Sequence, residues 1–220
     1  MRLKVCGLTQ VDQVYQLDAM GVSFGGFIFY PKSPRYVYQH LKAADIKSIK
    51  GNINKVGVFV NATEEEIIKT VDQCGLYLVQ LHGDETPHFC ERISNYISVI
   101  KAFRISEKEH LEWKLKDYIE VADMYLFDTA GNTANTSGDS VFGGTGKQFN
   151  WDILKGKNIA KPYFLSGGIG EDDCTNIKFF RQDKVAKDLF ALDVNSRFEL
   201  MPGIKDMKRI KQFITALNHT

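Results

Sequence analysis

Eight times along this chain the same course repeats: a short apolar stretch, a polar or glycine-bearing turn, then a segment with apolar residues at helical spacing. The apolar stretches are Arg2-Leu3-Lys4-Val5, Phe24 to Phe29, Lys55 to Val60, Tyr77 to His82, Ser98 to Phe103, Met124 to Phe127, Pro162 to Ser166 and Leu189 to Val194. Phe24-Gly25-Gly26-Phe27-Ile28-Phe29 has no polar alternation at all, the pattern of a strand covered on both faces. Regular alternation of strand and helix calls for a parallel sheet. Eight units within 220 residues call for an α/β chain closed into a (β/α)8 barrel, one domain over residues 1–220.

The intervening segments carry helix signals. Val11 to Met20 reads as an amphipathic helix that Thr9 can cap and Gly21 closes. A helix is expected from Leu41 to Ile49, another from Thr63 as cap to Cys74-Gly75, and another after Thr86-Pro87 through about Ser94. Ser106 to Asp117 reads as a more polar helix, Trp151 to about Lys155 as a short one, and Ile204 to Leu217 as the last. The polar stretch Ala130 to Phe149 is long for a loop inside a compact domain, and loops of that length usually carry function.

Composition excludes several classes of partner. The 28 basic and 27 acidic residues nearly cancel, so no global field favours nucleic acid or an anionic membrane surface. No run approaches the roughly 20 apolar residues of a membrane helix, and the N-terminus lacks a signal-peptide layout, so the cytoplasm is the expected location. Cys6, Cys74, Cys90 and Cys174 are far apart with no C-x-x-C pair, which favours reduced thiols over a disulfide scaffold. Without H-E-x-x-H spacing or a carboxylate cluster, no metal site is expected.

Barrel active sites sit beyond the carboxyl ends of the strands, and there the chain places Cys6, Arg35, Gln80, His82, Asp128, Ser166, Asp193 and Asn195. Cys6 and Asp128 form a candidate acid–base pair. A thiol that starts near pKa 8.5 can be drawn down by a helix start or by Lys4, two residues back on the same face. Asp128 would serve as the acid if its surroundings keep it protonated. Taken singly, Cys6 also reads as a buried small residue, Asp128 as a cap and His82 as a structural hydrogen-bonding group. Arg35, on a loop stiffened by Pro31 and Pro34, suits a planar carboxylate, though a solvated surface charge fits the same residue. Ser166-Gly167-Gly168-Ile169-Gly170 has the glycines and the following helix start of a phosphate loop.

These residues resemble the phosphoribosylanthranilate isomerase family. The likeness rests on Lys4-Val5-Cys6-Gly7-Leu8-Thr9, Gly26 to Val37, Lys55 to Asn61, Val79 to Glu85, Phe127-Asp128-Thr129, Gly143-Gly144-Thr145-Gly146, Ser166 to Ile169, and Asp193 to Ser196 with Pro202-Gly203-Ile204-Lys205-Asp206, in family order across the chain. The resemblance implies an Amadori rearrangement in tryptophan biosynthesis, with Cys6 as general base at ribose C2′ and Asp128 as general acid at the ring oxygen. It further implies Arg35 as partner of the anthranilate carboxylate and a phosphate clamp from Gly144, Gly146, Gly167, Gly168, Asn195 and Ser196. Gln80, His82 and Asp193 are expected to line the substrate. The expected ligand is a small phosphosugar bearing an aromatic carboxylate, handled by a monomer or homodimer, and the resemblance implies no cofactor, since the substrate's own anilino nitrogen can delocalise charge.

Two features depart from the family pattern. Arg197-Phe198 stands where a glycine is expected, which would restrict positive φ and reshape the phosphate loop. Asn132 to Val141 lengthens the loop after Asp128 and could act as a lid. Two alternatives remain open at this point. Another phosphosugar isomerase on the same barrel would be separated by a substrate panel, because Arg35 should demand an aromatic carboxylate. A silent phosphate-ligand binder would bind tightly and turn nothing over.

Overall fold

A computed structural model describes residues 1–105, 110–129 and 150–218. Strands β1 (Arg2–Val5), β2 (Phe24–Ile28), β3 (Asn54–Phe59), β4 (Leu78–Leu81), β5 (Val99–Ile105), β6 (Met124–Thr129), β7 (Tyr163–Leu165) and β8 (Leu189–Val194) form a closed barrel in sequence order. Every neighbouring pair is parallel, and β8 returns to β1 with Lys4 in register with Asp193. Helices α1 (Val11–Ala19), α2 (Ala43–Ser48), α3 (Glu64–Cys74), α4 (Pro87–Ser94), α5 (Leu111–Lys116), α6 (Cys174–Phe180) and α7 (Met207–Asn218) fill the crossovers. Between β6 and β7 the described residues hold a 3-10 turn, Trp151–Leu154. None of the described helices is long and apolar enough to cross a membrane.

Alternation along each strand sorts side chains into two apolar layers. Val5, Phe27, Phe59 and Val79 point outward and pack with Leu17, Ile67 and Ile210 of the helices. Phe24, Val56, Leu78, Ile100, Leu126 and Phe164 point inward and form a separate plug. The Phe24 and Phe164 rings meet edge to face at 5.5 Å, a favoured aromatic geometry. The plug leaves the other end of the barrel to polar residues.

Local chemistry explains the best-formed helix. Thr63 Oγ1 accepts from Glu66 N while Glu66 Oε2 accepts from Thr63 N at 2.8 Å, and Gly75 ends α3 at φ +61°. Several other elements differ from expectation. Thr9 does not cap α1, because its hydroxyl donates to Gly203 O at 2.6 Å and Gln10 takes the cap position without a side-chain bond. The last helix begins at Met207 rather than Ile204, since residues before it form an antiparallel hairpin of β9 (Glu199–Met201) and β10 (Ile204–Lys205) turning at Pro202 and Gly203, φ +85°. The helix expected over Ser106 to Asp117 is α5 alone, with residues 106–109 outside the described ones.

Candidate active site

The thiol of Cys6 lies just past β1, where Cys6 N donates to Val194 O at 2.9 Å. Gly26 on the neighbouring strand makes room for it: a Cβ there would stand 2.8 Å from Cys6 Sγ. Lys4, one pleat repeat deeper, is fully buried and donates to Asp193 Oδ1 at 2.9 Å, and Ser166 Oγ reaches Asp193 Oδ2 at 3.4 Å. Burial pushes the Cys6 thiol above its ordinary value, and the ammonium groups of Lys4 and Lys205 offset this only in part. The thiol is therefore not drawn down by Lys4 as the spacing suggested, since loss of water outweighs the cation. Burial likewise raises Asp193 against the pull of Lys4, while Asp193 and Cys6 hold the Lys4 ammonium above its usual value despite its own burial.

Across the mouth, Gln80 and His82 share the inward face of β4 and its end. Gln80 Nε2 meets His82 Nδ1 at 2.6 Å, and an amide nitrogen can only donate, so Nδ1 accepts and the ring proton sits on Nε2. His82 Nε2 lies 3.2 Å from Asp128 Oδ2, without the alignment of a hydrogen bond. Asp128 ends β6, and its Oδ1 accepts from Thr129 N at 2.8 Å. Cys6, Gln80, His82, Asp128 and Asp193 thus share one rim. Behind His82 the turn into α4 is fixed by a buried pair in which Lys101 Nζ donates to Glu85 Oε2 and Gly83 O, both at 2.8 Å. Glu85 Oε1 also accepts from Asn61 N at 2.9 Å and Gly83 N at 3.1 Å.

Arg35 closes a third side. Its Nε and Nη2 grip the Glu199 carboxylate at 2.7 to 3.0 Å, and its stem passes over Gly7, where a Cβ would approach Arg35 Cδ to 2.7 Å. Glu199 also accepts from Lys205 Nζ at 2.7 Å, and Lys205 reaches Asn195 Oδ1 at 2.8 Å. Burial would raise the Glu199 carboxyl, but Arg35 and Lys205 together hold it below its usual range, while burial lowers Lys205. Glu199 and Lys205 were not among the expected site residues. The Pro202-Gly203 turn between them is the sequence signal that could have brought them in.

The fourth side is the glycine turn after β7. Gly167 and Gly168 take φ of +89° and +68°, backbone that residues with a Cβ adopt rarely. Gly170 is different, because its N–H is already taken by Asp173 Oδ2 at 2.7 Å. One 3-10 turn, Glu171–Asp173, follows before the seven-residue α6, so the expected helix start is weak and the glycine backbone carries what anion affinity the turn has. Arg197 does not reshape the adjoining loop through positive φ: Ser196–Phe198 forms a 3-10 turn, and the positive-φ residue other than glycine among the described ones is Asn61. Its guanidinium instead reaches Gly168 O at 3.3 Å and Asp172 at 3.2 Å, tying the two loops together. Gly144 and Gly146, and the Asn132 to Val141 segment, lie outside the described residues. Among the described residues no group of three or more His, Cys, Asp or Glu is placed to hold a metal ion.

The family model for N-(5′-phosphoribosyl)anthranilate isomerase matches residues 3–216. A relative from Parabacteroides distasonis named N-(5′-phosphoribosyl)anthranilate isomerase is 37% identical over 223 residues, covering all of this chain and 94% of its own. The solved phosphoribosylanthranilate isomerase of Thermotoga maritima superposes with TM-score 0.81 at 31% identity over the whole of both chains. A further solved isomerase, bound to reduced 1-(o-carboxyphenylamino)-1-deoxyribulose 5-phosphate, matches over both whole chains with TM-score 0.76 at 29% identity.

Proposed function

The chain belongs to the N-(5′-phosphoribosyl)anthranilate isomerase family, and from that premise we propose that Cys6 and Asp128 move the protons of its reaction. That reaction is the isomerisation of N-(5′-phosphoribosyl)anthranilate in tryptophan biosynthesis, an aldose-to-ketose rearrangement. Asp128 gives its proton to the furanose ring oxygen, the C1′–O bond breaks, and the anilino nitrogen lone pair forms a C1′=N iminium. Cys6 as thiolate takes the C2′ proton, and the electrons of that C–H bond move to give an enolamine. Reprotonation at C1′ and loss of the C2′ hydroxyl proton give the ketose. The anilino nitrogen is the electron sink.

What carries this reading is the shared rim, with a buried thiol at the end of β1 and a buried carboxylate at the end of β6, three strands round the barrel. Between them stand a guanidinium and a glycine turn, suited to the two anionic ends of the substrate. Arg35 takes the aromatic carboxylate, and the backbone at Gly167, Gly168, Asn195 and Ser196 takes the phosphate. His82 supports Asp128, and Gln80 fixes the tautomer of His82. Asp193 acts through Lys4 by keeping that ammonium beside the thiol. A phosphorylated sugar stays inside the cell that makes it, so the cytoplasm is the place of work, as monomer or homodimer.

The decay of anthranilate fluorescence follows turnover directly. Cys6→Ser and Asp128→Asn are each expected to lower kcat by about 10² to 10⁴ while leaving the fold intact. Wild-type rates in both variants would remove the assignment.

A further inference from the structure

We propose that Glu199 is a positioning residue: it grips one edge of the Arg35 guanidinium so that the opposite edge is presented to the substrate's aromatic carboxylate, and Lys205 balances its charge. This rests on the reading of Arg35 as the carboxylate partner. It concerns what makes that arginine selective.

Three observations lead there. A guanidinium has five N–H donors in a rigid plane, and it can bind one carboxylate through Nε and Nη2 and another through Nη1 and Nη2. Glu199 takes the first of these edges, with Nε at 2.9 and 3.0 Å from its two oxygens and Nη2 at 2.7 Å. Among the described residues Glu199 is the one partner of the Arg35 side chain, so the Nη1 edge is left for a ligand.

Charge supplies the second observation. Glu199 stands between two cations, Arg35 and Lys205, and is 4% exposed. One anion between two cations leaves a surplus of one positive charge, which matches a single carboxylate. A guanidinium wholly neutralised by its own partner would hold a second carboxylate poorly.

Placement is the third. The Arg35 stem crosses Gly7, next to the thiol residue, so the free edge belongs to the rim where the sugar reacts. Lys205 also holds Asn195, in the loop assigned to the phosphate, so the hairpin β9–β10 ties both anion sites to one carboxylate. Gly203 N, at 3.1 Å from Glu199 Oε1, fixes that carboxylate from the turn itself. The distance between the two anion sites is thereby set by the hairpin.

The test uses the full chain and two ligands measured by calorimetry: reduced 1-(o-carboxyphenylamino)-1-deoxyribulose 5-phosphate and its counterpart lacking the carboxyl group. Glu199→Gln should weaken the carboxylated ligand about tenfold or more and the phenyl ligand less than twofold, raising KM with kcat nearly kept. Glu199→Asp, which keeps the charge but shortens the reach, should show a smaller loss with the same preference, and serves if the glutamine variant folds poorly. Equal weakening of both ligands would mean a merely structural residue and overturn the proposal. Tighter binding of the carboxylated ligand would overturn it too, since Glu199 would then be a competitor for Arg35. Arg35→Ala separates the premise: if it weakens both ligands equally, the reading of Arg35 falls and this proposal with it. If Arg35→Ala weakens the carboxylated ligand selectively and Glu199→Gln does not, Glu199 alone is wrongly placed.

Discussion

Cys6 shows how strongly a single packing contact constrains a reactive group. Its sulfur is walled by the bare backbone of Gly26, and a methyl there would meet Sγ at 2.8 Å and Cys6 Cα at 3.0 Å. Gly26→Ala is expected to cost about 1 to 3 kcal/mol in urea unfolding and to lower kcat by displacing the thiol. Acidity follows from the same wall. With the thiol pushed up by burial, the thiolate fraction at neutral pH is small, so kcat/KM should climb with pH on a limb above about 8.5. The native thiol also holds its proton more tightly than the unfolded chain does, so stability falls as pH rises past that value. Cys6→Ala should flatten this fall in unfolding curves taken from pH 7 to 10. The candidate residues Cys6, Arg35, His82 and Asp128 could be read from the chain because barrel function gathers at strand ends. The burial that raises the thiol could not, because it depends on distant strands closing around it.

At the level of elements, the turn after β4 and the hairpin after β8 do the positioning. Lys101 and Glu85 are both 3% exposed in their side chains and hold the turn that follows His82. Lys101→Met strands a buried carboxylate and should destabilise the chain by about 3 to 5 kcal/mol, read as a lower urea midpoint at unchanged slope. Thr63→Ala, which breaks the capping box of α3, should cost only about 1 kcal/mol in the same assay. The strands and most helices follow from periodicity and caps, with boundaries shifted by a few residues. The hairpin was hidden because Ile204 fits the apolar spacing of the helix that follows it, and local pattern cannot tell a two-residue strand from a first helical turn. The partners of Lys4, Lys101 and Lys205 were hidden for a related reason: which groups a strand lysine meets depends on segments far along the chain, 189 residues away for Lys4.

Over the whole molecule the barrel divides its labour by end. The aromatic plug around Phe24, Phe164 and Phe190 fills one end, and the polar rim occupies the other. Phe24→Ala should cost about 3 to 5 kcal/mol by cavity formation, yet kcat/KM at 25 °C should stay within about twofold, since the lost ring lies a layer below the rim. A thermal melt and a steady-state assay on the same sample would decide it. Closure itself brings the two ends of the chain together: Lys4 and Asp193 face each other in register where the first strand meets the eighth. During synthesis the thiol therefore emerges well before its surroundings can form, since Asp193 follows Lys4 by 189 residues and Glu199 follows Arg35 by 164. A chain cut before β8 is expected to turn over no substrate in the fluorescence assay, and adding β8 with the hairpin as a separate peptide is expected to restore turnover.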